Sequence, residues 1–393
     1  MPKTALILNI SHNDIGQIRS LKRMGFRVVG TGNNPELPGR TEVDEYIPAD
    51  YSDKDRILAL AREKRIDAVC ACCNDFGVLT AAYVAEKMGL GGHDPYELAL
   101  TLHHKDRFKR FAREQGILTP PSEGFDTPMA AKEWAEAADY PLMVKPVDLS
   151  GGKGCDRADD FAGAAAAIDR AFAASKAKHV VLEPFIVGTQ HACCTFLVGG
   201  KVRALCTNNE YSFVNPYLVE VDTFPASGFD AIRGFMLGQI EKIATALNLR
   251  DGIFHAQYIL HDGKPYVIEV MRRILGNLYM VPAAKLTGLD WDFWEARVHC
   301  GLGSSGFPGA MEPRGFWAYR CVMGDRQGTV HGVRIPDDLR VKMFGKYEIW
   351  RPGNTVEDVM HTQLGFYFFG FDSEKEMLDA MVGRYGEIHA EFE

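Results

Sequence analysis

Two polar side chains stand inside apolar runs twelve residues apart. Gln257 lies in the run Phe254 to Leu260, and Glu269 in the run Tyr266 to Val270. A carboxylate or an amide buried in a strand is costly unless it meets a partner. Oxygen donors on neighbouring strands suit Mg²⁺, which takes few protein ligands and completes its shell with water and phosphate oxygens. Asp262-Gly263 marks the turn between the two runs. A plain two-residue turn there would oppose Gln257 to Ile268 and leave Glu269 on the other face. A three-residue loop, or one bulge, opposes Gln257 to Glu269 and His255 to Met271. The second register is the expected one.

Other residues fit phosphate chemistry. Lys145 sits in the short apolar strand Leu142 to Pro146, five residues before Ser150-Gly151-Gly152-Lys153-Gly154. Three glycines in five residues let backbone N–H groups approach phosphate oxygens, and Lys153 adds a cation. The spacing is not that of a P-loop. Glu183 ends the apolar strand Val180 to Leu182. It either accepts from an adenine amino group, with the following backbone bonding the ring, or faces water. Arg272 and Arg273 follow the Glu269 strand directly. They could clamp carboxylate or phosphate oxygens in pairs of hydrogen bonds, or make ordinary ion pairs at a strand end.

The elements that must position these groups change character along the chain. Up to about residue 90, strands (Ala5 to Ile10, Phe26 to Thr31, Ala68 to Cys73) alternate with helical stripes. One such stripe is a helix capped by Ser52 and carrying Ile57, Leu60 and Ala61. This alternation implies a parallel, doubly wound sheet. Residues 94 to 140 read as helical, with a helix opening at Lys105 and another at Thr127-Pro128. Beyond 141, hairpin signals at Gly199-Gly200 and Asp262-Gly263 alternate with helices, an α+β pattern. The last segment has strand-like runs such as Trp317 to Met323 and an amphipathic helix with Met377, Leu378 and Met381.

With 393 residues the chain exceeds one ordinary core, and 46% hydrophobic with 24% charged residues is the balance of a soluble globular enzyme. The net charge of −8 and the lack of a basic run argue against a general nucleic-acid binder. No stretch is long and apolar enough to span a bilayer. The first apolar run reads as a strand, not a signal peptide. Nine cysteines without paired CxxC spacing read as reduced core thiols of a cytoplasmic protein.

In this order and spacing, the sequence resembles the ATP-grasp superfamily, in particular the branch with carbamoyl-phosphate synthetase, biotin carboxylase and carboxylate–amine ligases. The matching pieces are Lys105 in His104-Lys105-Asp106, Lys145 in Val144-Lys145-Pro146, the glycine loop, Glu183-Pro184-Phe185-Ile186 followed by Gly188-Thr189-Gln190, and Gln257 with Glu269. The resemblance implies an ATP-grasp fold: a Rossmann-like pre-ATP-grasp domain over 1–100, a small subdomain with the glycine loop over 101–190, a large subdomain over 191–310, and a C-terminal extension over 311–393.

It also implies roles. Lys105 and Lys145 bind ATP phosphates under the glycine loop, while Glu183, Phe185 and the Ile186 backbone surround adenine. Gln190 stands where an acidic residue often binds ribose. Gln257 and Glu269 hold Mg²⁺, with Mn²⁺ able to substitute, and Arg273, with Arg272 beside it, stabilises an acyl phosphate. The family usually has Asn where this chain has Met271, a poor Mg²⁺ ligand. Hence one metal site is altered, or His255 supplies a partner. Asn277 replaces a glutamate base of biotin carboxylase, and no biotin attachment sequence is present. The implied function is an ADP-forming ligase joining a small carboxylate, such as an amino acid, to an amine, acting as a homodimer. The alternatives are an enzyme releasing a phosphorylated product and a non-catalytic nucleotide-binding protein. Substrate contacts are expected near Asn74-Asp75 and in Asn208 to Asp222.

Overall fold

The computed structural model describes residues 2–149, 151–309 and 311–393. Ser150 therefore lies outside the described residues. Strands β1 (Thr4–Leu8), β2 (Arg27–Gly32), β3 (Glu45–Pro48) and β4 (Ala68–Cys70) form a parallel sheet in the order β3-β2-β1-β4. Helices over Lys54–Glu63 and Asp75–Met88 pack on it through Ile57, Leu60, Val78, Ala81 and Val84. This is the doubly wound opening expected from the alternation. The first of these helices is capped by Asp53, whose side chain accepts from Arg56 N, rather than by Ser52. Ser52 Oγ instead donates to Asp50.

A second sheet contains β5 (Glu123–Phe125), β6 (Leu142–Pro146), β7 (Asp156–Ala158) and β8 (Val180–Pro184), ordered β5-β8-β6-β7. The short strand β5 interrupts the segment read as helical. Its few residues carry no periodicity, and pairing to β8 is what extends them. Leu142, Val144, Val180 and Leu182 face an alanine-rich layer from the helices Pro128–Glu136 and Phe161–Ala174. Alternation along a strand sends the intervening residues to the opposite face. Lys145 and Glu183 are among them, which explains a lysine inside an apolar strand.

The chain continues through β9 (Thr189–Val198), β10 (Lys201–Tyr211), β11 (Val221–Phe224), β12 (Gly252–His261), β13 (Lys264–Met271), β14 (Phe316–Met323), β15 (Gly328–Arg334), β16 (Met343–Glu348), β17 (Thr355–Val356), β18 (Gln363–Phe371) and β19 (His389–Phe392). Eight of these make one sheet in the order β13-β12-β9-β10-β11-β14-β18-β16, and β17-β15-β19 make a small one. The C-terminal strands thus extend the sheet that carries Gln257. The final amphipathic helix is short, Glu374–Leu378, and runs into a π-turn over Asp379–Gly383. Met377, Ala380 and Met381 still reach the core there.

The β12–β13 hairpin has the expected register. His261 pairs with Lys264 across a two-residue turn in which Asp262 and Gly263 both have positive φ. That is the turn type whose twist matches the strands. A bulge between Gln257 and Tyr258 then shifts the ladder, so that Gln257 opposes Glu269 and His255 opposes Met271.

Candidate active site

One face of the large sheet carries the polar residues. Gln257 is paired with Ala192 on β9, and Ala192 with Asn208 on β10. Glu210, two residues on, is opposite Asp222 on β11, which is opposite Tyr319 on β14. Residues directly opposite share a face, so Glu269, Gln257, Gln190, Glu210, Asp222 and Tyr319 form a strip across the strands. The other face of β9 and β12 buries Cys193, Phe254, Ala256 and Tyr258 beneath the helix Arg233–Ala246. The strip and the second sheet enclose a cavity of about 470 Å³.

At one end of the cavity three lysines surround two carboxylates. Lys105 opens the helix Lys105–Glu114, and its Nζ lies 2.9 Å from Glu269 Oε1 while donating to Leu149 O. Burial opposes its charge, but the Glu269 carboxylate more than offsets this, and its pKa is raised. Lys145 pairs with Glu183, which is 2% exposed and also lies 3.1 Å from Lys109 Nζ. Burial pushes the Glu183 carboxyl up, and the two lysines bring it below its ordinary range. Lys109 is pushed down to about 8 by burial, with Lys145 repelling it and Glu183 only partly compensating. The Glu183 carboxylate is therefore a counter-ion that holds two lysines, neither open to water nor free for a ring amine. Phe185, Ile186 and Gln190 also line the cavity, and Phe185 N is already bonded to Pro141 O.

The glycine loop is divided. Gly151, Gly152 and Cys155 line the cavity, whereas Lys153 is exposed and Gly154 packs on Pro146. Gly152 has φ +70°, and a Cβ there would sit 2.3 Å from Tyr217 Cβ. Only glycine lets this loop lie against the segment that lines the other end of the cavity.

Glu269 and Gln257 stand side by side as oxygen donors. Gln257 Nε2 donates to both Glu210 oxygens, at 3.0 and 2.9 Å, and Gln190 Nε2 donates to Glu210 at 2.6 Å. This orients the Gln257 amide with its nitrogen on Glu210. Glu269 and Gln257 offer hard oxygens, a donor set that fits Mg²⁺. Among the described residues no group of three His, Cys, Asp or Glu could hold a metal ion by itself. Met271 takes a hydrogen bond from Arg273 Nη2 on its Sδ. His255 lines the cavity with an unpartnered Nδ1, and burial lowers its pKa to about 3, so the ring is neutral.

The two arginines part company. Arg273 lines the cavity and is held by Asp75 at 2.7 Å. Burial would raise the Asp75 carboxyl, but Arg273 and His103 hold it far below the usual range. Arg272 points away. Its Nε is 2.9 Å from Asp94, and its other nitrogens donate to Ile253 O and Arg250 O. It is a tie to the segment around Asp94 and not a clamp on ligand oxygens, because all three of its guanidinium nitrogens are taken by Asp94, Ile253 O and Arg250 O. Asn74 and Asp75 likewise serve structure: Asn74 caps the helix Asp75–Met88, and Asp75 holds Arg273.

Sequence reasoning missed Lys109 and left Glu210 unresolved within Asn208 to Asp222. Lys109 was legible as a cation one turn beyond Lys105, on the same helix face. Glu210 was legible from alternation with Asn208 at the polar end of a strand whose middle, Ala204 to Cys206, is apolar.

Residues 103–228 match the family model described as phosphoribosylglycinamide synthetase, ATP-grasp (A) domain. Over these residues the chain is similar to an ATP-grasp domain. Its relatives include the carbamoyl phosphate synthase large chain of Thermomicrobium roseum, 25% identical over 321 residues, covering 75% of this chain and 28% of that one. The chain thus spans about a quarter of the length of such large chains. The phosphoribosylamine–glycine ligase of Agrobacterium fabrum is 25% identical over 316 residues, 71% of this chain and 74% of the other. The structure of L-amino acid ligase from Bacillus licheniformis superposes over 100% of both chains with a TM-score of 0.84 at 21% identity. The ATP-grasp fold is thereby established. Among the described residues no helix is long and apolar enough to cross a membrane.

Proposed function

We propose that this ATP-grasp protein is an ADP-forming ligase that joins a small carboxylate to an amine through an acyl phosphate. One observation carries the reading. A single cavity is lined by Lys105, Lys145, Gly151 and Gly152, by Gln257 and Glu269, and by Arg273, Leu218, Asn277 and Tyr319. We read this lining as that of a site for a nucleotide and a second small molecule side by side.

In the first step a carboxylate oxygen of the substrate attacks the γ-phosphorus of ATP, and ADP leaves with the bonding pair. Lys105 and Lys145 hold the phosphate oxygens and stabilise charge spread over the transferring group. Gln257 and Glu269 would hold Mg²⁺, which shields the phosphate charges when bound. In the second step the amine nitrogen attacks the acyl carbon, and phosphate departs with the C–O pair. Arg273, fixed by Asp75, supports the oxyanion. Gly151 and Gly152 close over the intermediate and keep water from hydrolysing it. We further expect a homodimer that takes small-molecule substrates, not nucleic acid or membranes.

The test is a screen of carboxylate and amine pairs for stimulated ADP release, followed by mass spectrometry of the product. The expected product carries a new C–N bond and no phosphorus. A stable phosphorylated product would replace the ligase by a phosphotransferase. ATP binding without stimulated ADP release for any pair would leave a nucleotide-binding protein only.

A further inference from the structure

Between β10 and β11 the chain has neither helix nor strand, yet Pro216 to Val219 of that segment line the cavity. What holds the segment lies behind it. Glu220 is fully buried and is not part of the cavity wall. Its Oε1 accepts from three successive backbone N–H groups, those of Phe213, Val214 and Asn215, at 2.9, 2.6 and 3.2 Å. Its Oε2 accepts from Tyr385 OH and, at 3.4 Å, from Arg320 Nη1. Its own N–H donates to Tyr211 O, and its carbonyl accepts from Cys321 N at 2.7 Å.

The C-terminal part of the chain completes the clamp. The Tyr385 ring has the Phe213 ring 3.6 Å and the Arg320 guanidinium 3.5 Å from its centroid. Asn215 Nδ2 donates to Met360 O, and its Oδ1 accepts from Tyr217 N at 3.0 Å. Burying a carboxylate is costly, and apolar packing in its place is often as stable. What the carboxylate adds is direction, because three N–H groups converging on one oxygen fix the shape of the loop. That shape ends on the glycine loop. Tyr217 OH accepts from Arg157 N at 2.8 Å, on β7 of the second sheet. Gly152 lies against the same residue, so closely that a Cβ there would sit 2.4 Å from Tyr217 O.

We infer that Glu220, with Tyr385 behind it, is a positioning residue that acts through Tyr217 on the glycine loop. The inference deepens the proposed function: it rests on the reading of the cavity as a nucleotide site and names what sets the closed position of its cover. Glu220 fixes the segment, the segment presents Tyr217, and Tyr217 takes the Arg157 N–H that follows the glycine loop. Through Tyr385 the C-terminal part of the chain acts on a loop of the second sheet that it does not line the cavity with.

The test is hydrogen exchange of the nucleotide-free full chain, read over residues 151–158, together with calorimetric titration by AMPPNP and Mg²⁺. Tyr217→Phe removes one hydrogen bond and keeps the ring, and exchange over 151–158 is expected to quicken about fivefold. Glu220→Gln is expected to give a similar local gain with exchange in the parallel sheet unchanged, and each variant to bind AMPPNP about threefold more weakly. The double variant decides the order of action. A residue that acts through Tyr217 has little left to lose once the hydroxyl is gone, so the double variant is expected to match Tyr217→Phe within about twofold. Should Glu220→Gln not fold, Tyr385→Phe, which keeps the ring stack and the Arg320–Glu220 pair, takes its place in the cycle. Unchanged exchange over 151–158 in Tyr217→Phe, uniform quickening across the chain in the folded second variant, additive effects in the double variant, or parental AMPPNP affinity in both single variants would each overturn the inference. If loop exchange responds as expected and the parent itself binds no AMPPNP, the nucleotide reading of the cavity fails and the positioning role stands.

Discussion

Replacing Glu183 by glutamine leaves Lys109 and Lys145 facing each other in a buried pocket without their shared anion. The magnitude can be worked from Lys109. One pKa unit is worth about 1.4 kcal/mol, so the fall from 10.5 to about 8 is a penalty of roughly 3 kcal/mol already present in the folded protein at neutral pH. Without Glu183 that pKa drops further, but once it passes below 7 the lysine sheds its proton. The penalty is then capped at about 5 kcal/mol, and Lys109 adds only about 1–2 kcal/mol. Lys145 loses its direct partner and contributes on the scale of a broken buried pair, about 3 kcal/mol.

Glu183→Gln should therefore destabilise the chain by about 3–5 kcal/mol at pH 7, read from urea unfolding midpoints. Lys109→Met removes a poorly solvated cation and leaves the Lys145–Glu183 pair, so it should cost about 1 kcal/mol or less. The pH arm has a definite sign. Between about 8 and 10.5 the unfolded chain holds the Lys109 proton and the folded chain has released it, so this group makes stability rise with pH across that window. The rise should be missing in Lys109→Met. A Glu183→Gln protein within 1 kcal/mol of the parent, or a Lys109→Met protein as damaged as Glu183→Gln, would refute the counter-ion reasoning.

Arg272→Ala should lower stability by about 3–5 kcal/mol, because Asp94 is left buried and unpaired, yet leave nucleotide affinity within about twofold; equilibrium unfolding and AMPPNP titration check the two halves. On the proposed function, Glu269→Gln should reduce stimulated ADP release by about 100-fold, since it removes a charged group proposed to hold Mg²⁺ and the partner of Lys105, with circular dichroism showing the fold intact. Met271→Asn restores an oxygen donor two residues from Glu269, and should lower the free Mg²⁺ needed for half-maximal ADP release by about tenfold. An unchanged Mg²⁺ dependence would show that this position does not face the ion.

The strand pair that brings Gln257 beside Glu269 was legible because its logic is arithmetic. Alternation and turn length leave few ways to bring Gln257 beside Glu269, and the bulge at Tyr258 is one of them. Lys145 was legible because a buried lysine demands an anion, although the anion is Glu183 in the structure. What stayed hidden depends on non-local pairing. Nothing near Arg272 says that Asp94, far away in the chain, will claim it. Ser52 and Asp53 are both acceptable caps, and only the entry angle of the chain chooses between them. The partnership of Glu210 with Gln190 and Gln257 spans three strands, and local periodicity carries no information on which strands become neighbours.

On the proposed function, the close approach of Gly152 to Tyr217 would join two binding events into one equilibrium. On the proposed function the glycine loop lies over the nucleotide, while Tyr217 begins the segment whose Leu218 and Val219 line the same cavity and would meet the second substrate. Any molecule that orders one surface prepays part of the entropy of ordering the other. Linkage then requires reciprocity: the factor by which nucleotide tightens the second substrate is the factor by which that substrate tightens nucleotide. A glycine with no side chain of its own would thus serve as the coupling element between two ligands that need never touch it.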